Sequence, residues 1–336
     1  MIVNIDGWFG GGKSVIWALL DDHSKIFVDP VHNYSFVPFL TDSFHSEWMS
    51  SKNTSKLRIL LSRSEYYKYE KMMYDGVLPV HFKADHTFNL DYKIDFYKLD
   101  QNYFSTLMNL PNWSYDSILG TLYDNVETEW SGSSCHKPIK VTMGKADAYL
   151  DYWNIPERFS NMKTIFVKRD IYNIIATRSN RVARPNDLSQ DKVFNCDFRV
   201  LVNNGEVEKI CHCFETYNHL ENQFPDKFLV INFEDLITET RETMKRVCVF
   251  LDIDFEEVLL KPTRDGDILE DKGISFISSE HDNAYELLTY KERNLVKRHI
   301  NQFRFHRRPM NIMSVKSLLL YINSVVRKCV KNIIKV

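Results

Sequence analysis

Five short apolar runs punctuate the chain, and between them apolar residues return at helical spacing. Ile2 to Ile5, Ile26-Phe27-Val28, Pro138 to Met143, Thr164 to Lys168 and Phe228-Leu229-Val230-Ile231 have the length and β-prone content of buried strands. Asp29-Pro30 ends the second run, because proline cannot donate to a strand ladder. Ile16, Leu19 and Leu20 recur at i, i+3 and i+4, as an amphipathic helix requires. Ile171, Ile174 and Ile175 share a helical face, and so do Met244, Val247, Cys248 and Leu251. The stretches Leu57 to Met73 and Glu206 to Asn222 also read as helical. Strands alternating with helices predict an α/β fold of three layers, a parallel sheet flanked by helices. Residues 31–137 are less regular, with a polar aromatic stretch from His81 to Tyr103. They read as an insertion in a sheet domain spanning 1–310, and 311–336 reads as a C-terminal helix.

Composition adds few constraints. Hydrophobic residues make up 44% of the 336, enough for a buried sheet without disulfides or metal. Net charge is −2, so no global electrostatic case for nucleic acid exists. The six cysteines match no zinc spacing. Cys211-His212-Cys213 lies in a predicted helix, where adjacent side chains point to different faces, so buried reduced thiols are the better reading. The start Met1-Ile2-Val3-Asn4-Ile5-Asp6 lacks the basic and apolar parts of a signal peptide, and no run of 18 apolar residues occurs. The expected location is cytoplasmic. From Asn311 to Val336 there are basic residues and no acidic ones. Lys316, Asn323, Arg327 and Lys331 share one face of a helix over 312–334 whose other faces are apolar. Such a helix can lie on an anionic membrane, here the inner face, or pack on the body or on a second copy.

The first run leads straight into Gly7-Trp8-Phe9-Gly10-Gly11-Gly12-Lys13-Ser14. Strand, glycine loop and helix in that order form a P-loop-type anion cradle. Glycines let backbone approach an anion, and the helix start offers unpaired N–H groups and a positive dipole end. Lys13 adds a charge and Ser14 a hydroxyl. The loop specifies a phosphate-like group but no particular nucleotide. An ATP- or GTP-dependent enzyme would also need a carboxylate at a second strand end to hold magnesium. Asp170, Glu234 and Asp235 are the candidates, and this reading stays open.

A second motif is Thr164-Ile165-Phe166-Val167-Lys168-Arg169-Asp170, with Thr177 eight residues after Arg169. An arginine fork at a strand's C-terminal end, plus a hydroxyl, is good phosphate-binding chemistry; the plainer reading is a surface ion pair of Arg169 with Asp170.

Together these motifs resemble the PAPS-dependent sulfotransferase family, whose donor is 3′-phosphoadenosine-5′-phosphosulfate. That family has a loop after the first strand for the 5′-phosphosulfate and a strand ending in Arg-Asp, with Ser eight residues after the Arg, for the 3′-phosphate. Here Gly10, Gly11, Gly12, Lys13, Ser14 and Val15 match the first, and Arg169 with Thr177 the second, Thr keeping the hydroxyl of Ser. The segment Phe228 to Leu236, with its Glu-Asp-Leu, and the helix ending near Phe250-Leu251 are similar as well. The likeness covers residues 1–30 and 138–300. The loop and Lys261-Pro262-Thr263 resemble bacterial sulfotransferase-like proteins of surface-polysaccharide gene clusters.

The resemblance implies a sulfotransferase fold and sulfuryl transfer to a hydroxyl, here of a carbohydrate, glycan or glycolipid. Lys13 would stabilise the departing nucleotide, and backbone N–H groups of Gly11 to Val15 would hold the 5′-phosphosulfate. Arg169 and Thr177 would hold the 3′-phosphate, and no metal would be required. The insertion would serve the acceptor. One departure concerns the general base. Cytosolic members carry Lys-Thr-His-x-Pro after the middle strand, whereas this chain has Val141-Thr142-Met143-Gly144-Lys145-Ala146-Asp147. His81, Asp85 and His86 in the insertion are candidates, and no base is assigned. Lys272-Gly273 matches only part of a basic-glycine segment that reaches the 3′-phosphate in relatives. The missing histidine also leaves a non-catalytic member of the fold as an alternative.

Overall fold

The computed structural model describes residues 1–29, 36–50, 53–63, 94–132, 136–144, 152–179, 197–264, 266–268 and 284–305. His81, Asp85, His86, Lys272-Gly273 and the basic stretch 311–336 lie outside the described residues. The five predicted runs form one sheet: β1 (Ile2–Gly7), β2 (Ile26–Val28), β3 (Ile139–Met143), β4 (Met162–Lys168) and β5 (Phe228–Asn232). The order is β2-β3-β1-β4-β5, every pair parallel. The chain leaves β1 for β2, returns to β3, then crosses to β4 and β5. The reversal falls at β1, and the crevice at such a point binds ligands in doubly wound sheets.

Alternation along β1 divides the protein into two cores, since successive strand residues face opposite sides. Val3 and Ile5 face the core shared with α1 (Lys13–Leu20), α11 (Phe233–Thr238) and α12 (Thr240–Leu251). Helix α1 is buried along Val15 to Leu20 and shows no polar outer face, unlike the one-sided helix its spacing predicts. The reason is tertiary: a short strand at Thr263–Arg264 and a 3-10 turn at Glu257–Leu260 pack against it. Full burial of each large apolar side chain stabilises by about 1.5–3 kcal/mol, so α1 is a rigid base for the glycine loop.

Ile2 and Phe166 face the other core. This side is covered by α2 (Val37–Leu40), α3 (Asp42–Ser50), α4 (Thr54–Arg63), α5 (Phe96–Met108) and α6 (Tyr115–Ser131), all within the predicted insertion. The helix α7 (Ile155–Arg158) follows β3, while α8 (Ile171–Arg178), α9 (Phe198–Asn203) and α10 (Glu206–Gln223) link β4 to β5. The helix α13 (Tyr290–Phe305) packs on α10. Cys211 and Cys213 are buried on α10, and Cys248, buried on α12, has its thiol pushed up to about 11 by burial. Asp124 and Glu127 on α6 approach His136 closely enough to hold a metal ion. Lys140 of β3 already places its ammonium on both carboxylates, 3.0 Å from Asp124, so the group reads as a partly buried ion cluster tying α6 to the sheet. Among the described residues, no helix is long and apolar enough to cross a membrane.

Candidate active site

The site begins where β1 ends. A Cβ at Gly7 would lie 2.8 Å from the Val167 carbonyl, so β1 and β4 approach too closely there for any side chain. The loop turns back when Gly11 N–H donates to Trp8 O at 2.7 Å. Trp8 is buried, and its indole N–H donates to Glu206 Oε1 at 3.0 Å. Arg178 Nε lies 3.3 Å from the same oxygen, with its guanidinium 5.3 Å from the Phe9 ring centre. Side chains from α8 and α10 thus pin the loop through Trp8 and Phe9.

Gly12 forms the N-cap of α1 at φ 88°, a left-handed conformation that β-carbon sterics disfavour. A Cβ there would fall 2.1 Å from Phe233 Cδ2. Gly12 brings no capping side chain, and the first turn of α1 holds no acid. The helix start is therefore electropositive and open to an anion. We expect Gly12→Ala to abolish measurable nucleotide binding by calorimetry and to lower the melting temperature by several degrees. Strain at a positive φ costs about 1–2 kcal/mol, and displacing Phe233 adds to it.

Lys13 directs its ammonium to the Gly144 carbonyl at 2.6 Å, just past the C-terminal end of β3. Ser14 is half-buried at the helix start. Val15 is buried, and its N–H donates to Gly12 O at 3.0 Å, so that amide is engaged within the turn.

Arg169 leaves the end of β4 and is 5% exposed, which excludes the surface ion pair its neighbour Asp170 suggested. Its Nη1 donates to Gly10 O at 2.9 Å and lies 3.5 Å from Thr177 Oγ1, the outer limit of a hydrogen bond. The guanidinium sits 4.7 Å from the Phe233 ring centre. Thr177 Oγ1 donates to Asn173 O at 2.8 Å, which orients its lone pairs toward Arg169. The two motifs, more than 150 residues apart, therefore meet at one hydrogen bond between Arg169 and the glycine loop.

The carboxylates that magnesium-dependent chemistry would need have other work. Asp170 caps α8 by accepting from Asn173 N–H at 3.1 Å. Glu234 accepts the Asp170 N–H at 2.9 Å, and Asp235 accepts from the Asn232 amide at 2.8 Å. Burial pushes the Tyr172 phenol up, with the Asp170 carboxylate acting in the same direction. Beside Arg169 opens a cavity of about 440 Å³, lined by Lys168, Phe214, Asn218, Asn232, Phe303 and Arg304 among others. Phe233, Gly144 and the buried carboxylate Asp6 belong to the site without a motif to announce them. Asp6 did carry a signal, a charged residue set between an apolar strand run and the glycine loop.

A family model for the sulfotransferase family matches residues 12–257. The sulfotransferase domain of the Synechococcus PCC 7002 olefin synthase is similar in structure, with 14% identity and a TM-score of 0.50 over 92% of this chain and 95% of that one. A sulfotransferase domain from the curacin biosynthetic pathway is 16% identical, with a TM-score of 0.49 over 92% of this chain and 98% of that one. A search of curated proteins returns no match.

Proposed function

This chain belongs to the sulfotransferase family, and on that premise we propose that it transfers a sulfuryl group from PAPS to the hydroxyl of a carbohydrate. The observation that carries the donor assignment is the bond from buried Arg169 to Gly10, with Thr177 alongside. It sets a rigid guanidinium fork beside a loop built for an anion, so two anionic ends of one nucleotide can be held at once. PAPS would supply the activated sulfuryl group and the leaving phosphate.

The chain's own residues supply position and charge. The N-terminus of α1 and the loop backbone hold the 5′ end. Arg169 and Thr177 hold the 3′-phosphate, the group that distinguishes PAPS from ATP. Lys13 keeps one ammonium N–H on the Gly144 carbonyl and donates another to the oxygen on which charge develops as the sulfur–oxygen bond breaks. Preorganised charge of this kind does most of the work in phosphoryl transfer, and sulfuryl transfer has similar demands. The cavity beside Arg169 is lined by no residue of the glycine loop and lies on the 3′-phosphate side, so the carbohydrate acceptor rests on the resemblance of the loop and Lys261-Pro262-Thr263 to sulfotransferase-like proteins of surface-polysaccharide gene clusters.

Calorimetric titration with PAP, the desulfated donor, tests the reading against ATP with magnesium. We expect micromolar PAP binding that is indifferent to magnesium. Tight magnesium-dependent ATP binding without response to PAP would replace this reading with a nucleotide-dependent kinase.

A further inference from the structure

Asp6 lies one residue before the end of β1 and is fully buried. A buried carboxylate is costly unless it is held by donors. Gly7 N–H donates to Oδ1 at 2.7 Å, and the Tyr217 hydroxyl donates to Oδ2 at 2.6 Å. Tyr217 comes from α10 and is itself fully buried. Its ring stacks on Phe166 at 3.8 Å and 16°, which fixes the direction of the hydroxyl. The third neighbour is Gly144. A Cβ at that position would lie 2.8 Å from Asp6 Cγ and 3.0 Å from Oδ2, so the Gly144 backbone rests on the carboxylate. The Gly144 N–H donates to Ile5 O at 2.7 Å, which seats it at the end of β1.

Two of these neighbours are parts of the active site. Gly7 opens the anion loop, and the Gly144 carbonyl receives the Lys13 ammonium at 2.6 Å. A carboxylate needed only for packing could be replaced by an apolar group of like volume. Asp6 instead joins the loop start, the lysine's anchor and α10 at one point.

We propose that Asp6 is a positioning residue for sulfuryl transfer, holding Gly144 and the start of the loop so that Lys13 is placed on the line of reaction. The inference rests on the transferase reading above. It also gives Gly144 a reason to be glycine, since any side chain there would displace both Asn4 Oδ1, at 2.6 Å, and the carboxylate.

The test is a double-mutant cycle on full-length protein, with PAPS as donor and water as acceptor, followed as PAP release. Asp6→Asn should lower kcat by about 10- to 100-fold, the scale for a misplacement of about 1 Å. PAP affinity should stay within about threefold of wild type, because Asp6 is fully buried and offers no surface to a ligand. In a Lys13→Ala background the same change should cost less than about threefold, since its effect runs through the lysine. Tyr217→Phe keeps the stacked ring and removes only the hydroxyl. It should lower kcat by about 5- to 10-fold, the scale of one lost hydrogen bond, and it decides the matter if Asp6→Asn does not fold. An Asp6→Asn or Tyr217→Phe enzyme within threefold of wild type, or one whose loss persists in full without Lys13, would overturn the proposal. Wild-type protein that neither binds PAP nor consumes PAPS would sink the transferase reading, and this inference with it.

Discussion

Lys13→Ala should lower sulfuryl transfer by about 10²–10³, the range for removing one preorganised donor from a developing charge. The lysine side chain is half-buried and donates to the Gly144 carbonyl. Loss of that bond costs the fold only about 1 kcal/mol. The charge matters when the leaving oxygen gains charge, where a neutral alanine offers no compensation. The loss should therefore fall mainly on kcat, with a smaller change in PAP affinity. Turnover of PAPS under saturating donor, with melting temperature as the check on folding, measures this. Activity within threefold of wild type would refute the role given to Lys13.

Arg169→Ala should weaken PAP binding by about 10²-fold or more. Hydrogen bonds to charged groups contribute about 1.5–3 kcal/mol each, and a fork on a phosphate can make two. At about 1.4 kcal/mol per tenfold, even one such bond accounts for a tenfold loss. The variant also frees Gly10 O of its donor and leaves the Phe233 ring without its cation, so the loop loses support from β4. Arg169→Lys keeps the charge without the planar fork and should recover only part of the affinity. Calorimetry with PAP on both variants separates charge from geometry. An Arg169→Ala protein that binds PAP as wild type does would place the 3′-phosphate elsewhere.

Most of the fold was legible because burial writes itself into spacing. Each of the five apolar runs is a strand, and the helix read over Glu206 to Asn222 is α10 at Glu206–Gln223. Less legible were residues whose roles depend on partners distant in sequence. Asp6 and Asn4 point into a core, and Asn4 stands in register between Thr142 of β3 and Thr164 of β4. Nothing in the run Ile2 to Ile5 reveals that row of polar side chains, because only pairing of three strands assembles it. Asp170 and Glu234, the candidate magnesium ligands of the sequence, also serve the fold, one capping α8 and the other accepting the Asp170 N–H.

The sequence by itself determined the strand–helix alternation, the glycine loop with Lys13 and the Arg169–Thr177 motif, since each depends on periodicity or on residues within a few positions of one another. The tertiary structure alone decided that Arg169 is buried against Gly10, that α1 is covered on every side, and that Lys13 rests on Gly144 above Asp6. Those facts depend on parallel strand order. A sheet that places β1 between β3 and β4 brings Asp6, Gly144 and Arg169 to one edge, and no local pattern in the chain encodes that neighbourhood.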